Sequence, residues 1–192
     1  MIITITGNPG SGKSTVAKML AKKLKYKRFY GGGFRREIAK KKGMNLAEFN
    51  AWSETHKSGD TLVDNLIKRM CKQKNAKLII EGRTAWHFIP DSLKIYIYID
   101  PVVGAKRIWQ NYTKEGKKRN EDKIGSWPEM LASVKQRARR DVLRYKKHYG
   151  VDINRRANYD LWLDATKMTK KQEFNAVYRF IQQNLDSQKK LR

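Results

Sequence analysis

The chain has 192 residues, 40% of them apolar, and a formal net charge of +25 from 43 Lys and Arg against 18 Asp and Glu. That composition suits one folded domain with its own core and excludes a disordered chain, while the lack of any apolar run of about eighteen residues excludes a membrane-spanning helix. Met1 to Gly7 lacks the basic and long apolar segments of a signal peptide, and the single cysteine, Cys71, excludes an internal disulfide or a cysteine-based zinc site, so a reducing cytoplasm is expected.

Ile2 to Thr6 is the first of five β-rich runs and is almost continuously apolar, the pattern of a strand covered on both faces. After a glycine-rich turn, Ser14 to Leu24 carries Val16, Ala17, Met19, Leu20 and Leu24 toward one side of a predicted helix. Tyr26 to Tyr30 is the second run. Gly31 to Gln73 then holds helical patterns and no strand: Leu46 to Trp52 follows Asn45 as N-cap, with Glu48 in a capping-box position, and Thr61 to Gln73 comes next. Leu78 to Glu81 and Lys94 to Ile99 are the third and fourth runs. Predicted helices over Val102 to Tyr112 and Pro128 to Tyr149 flank Asn111 to Pro128, which is polar, basic and rich in turn signals. Tyr159 to Leu163 is the fifth run, Lys171 to Leu185 the last helix, and Ser187 to Arg192 a frayed basic tail. Strands alternating with helices predict a parallel sheet wound on both sides, and the two irregular stretches read as insertions where strands end and open α/β sheets bind ligands.

The strongest motif is Gly7-Asn8-Pro9-Gly10-Ser11-Gly12-Lys13-Ser14, followed by Thr15, between the first strand and a helix. Backbone N–H groups from Gly10 to Ser14 can wrap a phosphate, Lys13 can reach the β- and γ-phosphates of a nucleoside triphosphate, and Ser14 can place its hydroxyl on Mg²⁺. This is a P-loop. Leu78-Ile79-Ile80-Glu81-Gly82-Arg83 ends the third strand. Glu81 there either holds a water on Mg²⁺ or forms a surface ion pair with Arg83, which otherwise points into the crevice.

Gly31-Gly32-Gly33-Phe34-Arg35-Arg36-Glu37 reads as a glycine-rich turn whose arginines either grip a phosphate or face solvent. Asp60 and Asp64 share one helix face, as acceptors for an exocyclic amine or as solvated acids. Arg137, Arg140 and Arg144 fall on one stripe, where three cations repel unless an anion sits among them; the competing reading is a basic helix contacting RNA. His56, His87 and His148 form no metal motif and read as structural or surface residues, and Trp52, Trp86, Phe88, Trp109 and Trp162 could stack bases, with core filling the default for most of them. The basic residues cluster, eleven with one acid between Lys18 and Lys42, and fourteen with five acids between Lys106 and Lys147. Polyanionic partners follow: nucleotides, with nucleic acid as a second class.

The P-loop, Gly32 to Arg36, Gly43 to Asn50, Glu81-Gly82-Arg83, Arg144-Tyr145, Tyr149 to Asp152 and Asn158 to Leu161, in that order, resemble the nucleoside monophosphate kinases, and within them the short, archaeal-type cytidylate kinase family. The resemblance implies a P-loop NTPase three-layer α/β fold with a five-stranded parallel sheet, a helical acceptor-binding insertion and a lid. It divides a single domain into a core (1–30, 74–110, 145–186), an acceptor region (31–73) and a lid (111–144). It implies ATP and Mg²⁺ as cofactors and a nucleoside monophosphate, CMP or dCMP, as acceptor. Gly32, Arg36 and Arg83 are then expected at the acceptor phosphate, Asp60 and Asp64 near the acceptor base, and Arg107 near the ATP base. Arg137 and Arg144 are lid arginines, with Arg140 of the same stripe a further catalytic candidate, Lys13 neutralising charge and Ser14 and Glu81 on the metal. The chain departs from the family pattern at Arg35, where Phe is usual, and at Asn111, where Arg is usual. An adenylate or other small-molecule kinase and an RNA- or ribosome-associated P-loop protein are the alternatives; a cytoplasmic monomer without membrane contact is expected.

Overall fold

Five strands, β1 (Ile2–Gly7), β2 (Lys27–Tyr30), β3 (Leu78–Glu81), β4 (Leu93–Tyr98) and β5 (Leu161–Asp164), form one sheet in the order β2-β3-β1-β4-β5. All four pairings are parallel, with Ile5 level with Glu81 on one side of β1 and with Ile95 on the other. The computed structural model describes residues 1–72, 76–114 and 124–190. The expected boundary at 73/74 and most of the loop between the two helices after β4 lie outside the described residues.

The near-continuous apolar strands are explained by cover on both faces. Ile3, Ile5, Ile79, Ile95 and Ile97 pack with Val16, Ala17 and Leu20 of α1 (Lys13–Leu24) and Val177 and Ile181 of α8 (Lys170–Lys190). Leu78 and Ile80 turn the other way, onto Ile67 of α4 (Ser58–Cys71) and Ala85 of the short α5 (Ala85–Phe88). Alternate residues of one strand thus serve two cores, and the three-layer arrangement follows.

Between β2 and α4 stand α2 (Gly31–Lys41) and α3 (Leu46–Thr55), joined by a small core of Ile38, Ala39 and Phe49. The Asn45–Glu48 capping box that opens α3 is formed reciprocally, at 2.9 and 2.7 Å. The glycine-rich stretch does not form the expected turn. Gly31, Gly32 and Gly33 begin α2 directly, and none has a positive φ. What they provide is clearance: a Cβ on Gly31 would sit 2.6 Å from the Glu81 carbonyl oxygen, and one on Gly33 2.6 Å from the Tyr30 ring.

Helices α6 (Pro101–Lys114) and α7 (Trp127–Tyr149) pack as a pair around Ala105, Met130 and Val134, with Trp109 and Trp127 against them. Ser126 caps α7, Pro128 occupies its first turn, and Gly150 ends it in the left-handed conformation at φ 70°. The helix runs unbroken past residue 144, so the boundary expected there falls within α7. The last helix continues to Lys190, where a frayed tail was expected from Ser187, with the Ser187 hydroxyl bonded to the Gln183 carbonyl. No helix among the described residues is long and apolar enough to cross a membrane.

Candidate nucleotide site

The loop after β1 has the shape its sequence predicts. Gly10 and Gly12 adopt φ of 79° and 84°, a region that side chains disfavour, and a Cβ on Gly10 would meet the Gly104 carbonyl oxygen at 2.2 Å. A Cβ on Gly7 would similarly strike the Ile97 carbonyl oxygen, and the Pro9 carbonyl lies against Gly104 at the start of α6. Asn8 is fixed by the Tyr96 hydroxyl at 2.8 Å. Gly12 caps α1 without a side chain, so the first-turn amides of Lys13, Ser14 and Thr15 have no side-chain acceptor and present the helix's positive end. The Ser11 hydroxyl is buried with no hydrogen-bond partner. Lys13 Nζ folds back to the Asn8 carbonyl at 3.2 Å. Burial, then the charges of Arg83 and Arg137, lower its pKa well below the ordinary value, effects that a polyphosphate in the loop opposes.

At the end of β3 the surface ion pair expected as one reading of Glu81 and Arg83 is not formed. Glu81 does not pair with Arg83; its Oε1 takes a 2.5 Å bond from Arg28 Nε on β2, while its Oε2 is buried without a hydrogen-bond partner. Arg83 donates from Nε to Asp141 Oδ2 at 3.0 Å and from Nη1 to the Gly7 carbonyl. It therefore bridges the P-loop and α7. Arg36 Nη1 donates to the Tyr30 hydroxyl at 2.9 Å and to the Gly32 carbonyl at 3.1 Å, which holds its side chain over the start of α2.

Asp60 and Asp64 do share a face of α4, but neither is solvated. Asp60 lies 2.5 Å from Arg35, 3.2 Å from Arg144 Nε and 3.2 Å from His148 Nδ1. Asp64 accepts from the Tyr149 hydroxyl and, at 3.4 Å, from Thr84. Burial raises the Asp64 pKa to about 6 against the lowering effect of the Tyr149 bond. His148, expected to be structural or at the surface, has its side chain buried against Asp60.

The three arginines of α7 part company. Arg144 is buried and shared between Asp60 and Asp141, the latter at 2.9 Å. Arg137 faces the P-loop closely enough to act on both Lys13 and Asp141. Arg140 turns outward to Glu54 on α3 at 3.4 Å, each side chain more than a third exposed. They do not converge on one point because α7 presents them to three different neighbours.

Asp141 carries no motif in the sequence, yet it sits between Arg83 and Arg144 and is 4% exposed. Burial favours its neutral form, but Arg83, Arg144 and Arg137 outweigh that and hold its pKa at about 2. The signal available was its spacing: an acid four residues after Arg137 and three before Arg144, the one acid of α7 beyond Glu129 in its first turn. Arg35, Asp60, Arg144, Asp141, Arg83 and the Gly7 carbonyl thus form an alternating chain of charges and dipoles from α2 to the P-loop.

On the opposite side of the loop, Arg107 Nη2 donates to the carbonyls of Met168 and Ala165 at 2.8 and 3.2 Å. Nη1 of the same guanidinium lies 3.7 Å from Glu173 on α8.

A family model described as the cytidylate kinase-like family matches residues 2–167. The chain is 35% identical over 182 residues to a cytidylate kinase of Methanocaldococcus jannaschii, covering 92% of this chain and 95% of that protein. It is 36% identical over 170 residues to a cytidylate kinase of Archaeoglobus fulgidus, covering 86% of each. A shikimate kinase from Bacteroides thetaiotaomicron superposes with a TM-score of 0.61 at 14% identity, over 97% of this chain and 98% of that one, a likeness of fold. Five parallel strands, a P-loop between β1 and α1, and a match spanning most of the sequence lead to one assignment: the chain belongs to the cytidylate kinase-like family.

Proposed function

We propose that the protein transfers the γ-phosphoryl group of ATP to CMP or dCMP. The observation that carries the reading is the charge chain between the P-loop and the acids of α4, which joins a donor-phosphate cradle to a second cationic site. The cytidylate kinases to which the chain is similar support CMP as acceptor.

The acceptor phosphate is already a nucleophilic anion, so the work of the protein is alignment and charge neutralisation. Residues 31–73 act as the acceptor region and 111–144 as the lid. Arg36 and Arg83, beside Gly32, hold the acceptor phosphate, and Asp60 and Asp64 face its base. Lys13, Arg137 and Arg144 face the oxygens between which the phosphoryl group moves, and Arg107 borders the donor base. The cradle fits a triphosphate: its glycines leave no room for side chains, the helix that follows has no side-chain cap, and the buried Ser11 hydroxyl has no hydrogen-bond partner. Among the described residues no cluster of three His, Cys, Asp or Glu could hold a metal ion alone. A Mg²⁺ ion brought with the nucleotide would find Ser14 and, through water, the unpartnered oxygen of Glu81, and would supply charge neutralisation there.

A coupled assay with ATP across CMP, dCMP, UMP, AMP and GMP tests the reading. Turnover highest with CMP or dCMP supports it. A preference for AMP assigns an adenylate kinase, and no turnover with any acceptor rejects the proposal.

A further inference from the structure

Glu173 lies in the first turn of α8 with 1% of its surface exposed. An acid there usually faces solvent and stabilises the helix end. Here the end is served by Thr169 and Gln172, whose side chains bond each other at 2.9 Å and to the backbone of the turn, and Glu173 points inward. Both of its carboxylate oxygens are buried with no hydrogen-bond partner. They press on the P-loop: a Cβ on Gly12 would lie 2.6 and 2.8 Å from them. The charged groups that face this carboxylate are Arg107 of α6 and Lys13 of α1. A buried acid without donors is costly, and such exceptions call for a reason.

Arg107 supplies one. Its guanidinium is held by two carbonyls of the β5–α8 loop on one nitrogen, and Glu173 stands beside the other. A guanidinium fixed in this way offers a flat cationic face to a base whose triphosphate lies in the adjacent loop. We propose that Glu173 is a positioning residue for the donor nucleotide, holding Arg107 against the carbonyls of Ala165 and Met168 and backing the P-loop at Gly12. The proposal rests on the kinase reading above. Burial raises the Glu173 pKa to about 7, with Arg107 and Lys13 opposing it, so the pairing with Arg107 is present above neutrality and lost below it.

The test compares wild type with Glu173→Gln, measuring KM for ATP, KM for CMP, kcat, and the Kd of ATP without acceptor, between pH 6 and 8.5. At pH 8 the variant's KM and Kd for ATP rise about fivefold, the size of one modest ion pair, while KM for CMP and kcat change less than about twofold. The ratio of the two proteins' ATP affinities falls toward one at pH 6. In an Arg107→Ala background, Glu173→Gln has no further effect on ATP affinity. Equal ATP affinity of wild type and variant at pH 8, loss of affinity for both substrates together, or additive effects with Arg107→Ala would each overturn the proposal. Failure of the wild type to phosphorylate any nucleotide would reject the kinase reading instead, and the ATP Kd would still decide the role of Glu173.

Discussion

Arg144 Nε lies 3.2 Å from Asp60, so an arginine of α7 is held by an acid of α4. The same guanidinium reaches Asp141, which in turn holds Arg83. Under the proposed function, a phosphate entering this cleft would compete with the carboxylates that orient these arginines. The acids keep the arginines extended and charged where repulsion among them would otherwise scatter them.

Lys13 is the first test of that electrostatic picture. Its ammonium is disfavoured by burial and by Arg83 and Arg137. Lys13→Ala is expected to lower kcat at least about a hundredfold, the usual scale for a preorganised charge at a reacting oxygen, without lowering the melting temperature. Near wild-type turnover would remove Lys13 from the mechanism.

Arg83 joins the P-loop to α7, and the proposed function assigns it to the acceptor phosphate. Arg83→Ala should raise KM for CMP about tenfold or more, through loss of a charge-assisted bond, with a smaller change in KM for ATP. A fall in melting temperature with both KM values intact would make the residue structural.

Arg137 and Arg140 were equivalent in the sequence and are not equivalent in the fold. Arg140 pairs with Glu54 at the surface, a contact worth less than about 1 kcal/mol. Arg140→Ala should therefore alter kcat by less than about threefold, whereas Arg137→Ala, which removes charge facing Lys13, should lower it by about a hundredfold. Equal effects of the two substitutions would restore the uniform stripe.

Stability should peak in mildly acidic solution. Asp141, held at about 2 against an ordinary 3.8, binds fewer protons in the folded state, so its contribution is complete above about pH 4 and lost as pH falls toward 2. Asp64 at about 6 and Glu173 at about 7 bind more protons when folded, so their contribution is present below about pH 4 and lost as pH rises through those values. Urea denaturation should show a maximum near pH 4 and a decline from there to pH 7, and Glu173→Gln should be more stable than wild type at pH 8 by on the order of 3 kcal/mol. A wild-type profile flat from pH 5 to 8 would contradict this assignment. The gain in stability would accompany the loss of ATP affinity argued above, as expected where a functional site retains an unfavourable group.

The P-loop was legible because its glycines, lysine and flanking strand form one local pattern, and the sheet because its strands are apolar on both faces. The start of α7 was legible in Pro128, and that of α3 in Asn45 and Glu48. Gly31 to Gly33 misled, since glycine serves close approach inside a helix as well as in a turn, and only the position of Tyr30 and β3 distinguishes the two. Arg28 with Glu81, Asp141 with Arg83, and Glu173 with Arg107 are pairs between distant segments. No spacing rule in a single sequence brings such residues together; the order of the sheet and the packing of α6, α7 and α8 do.

The account stands most directly on the fate of one phosphoryl group. With γ-labelled ATP and CMP, the wild-type protein should place the label in CDP, with little label in inorganic phosphate. Label released only as inorganic phosphate, or retained in ATP, would contradict the two-sided phosphate site.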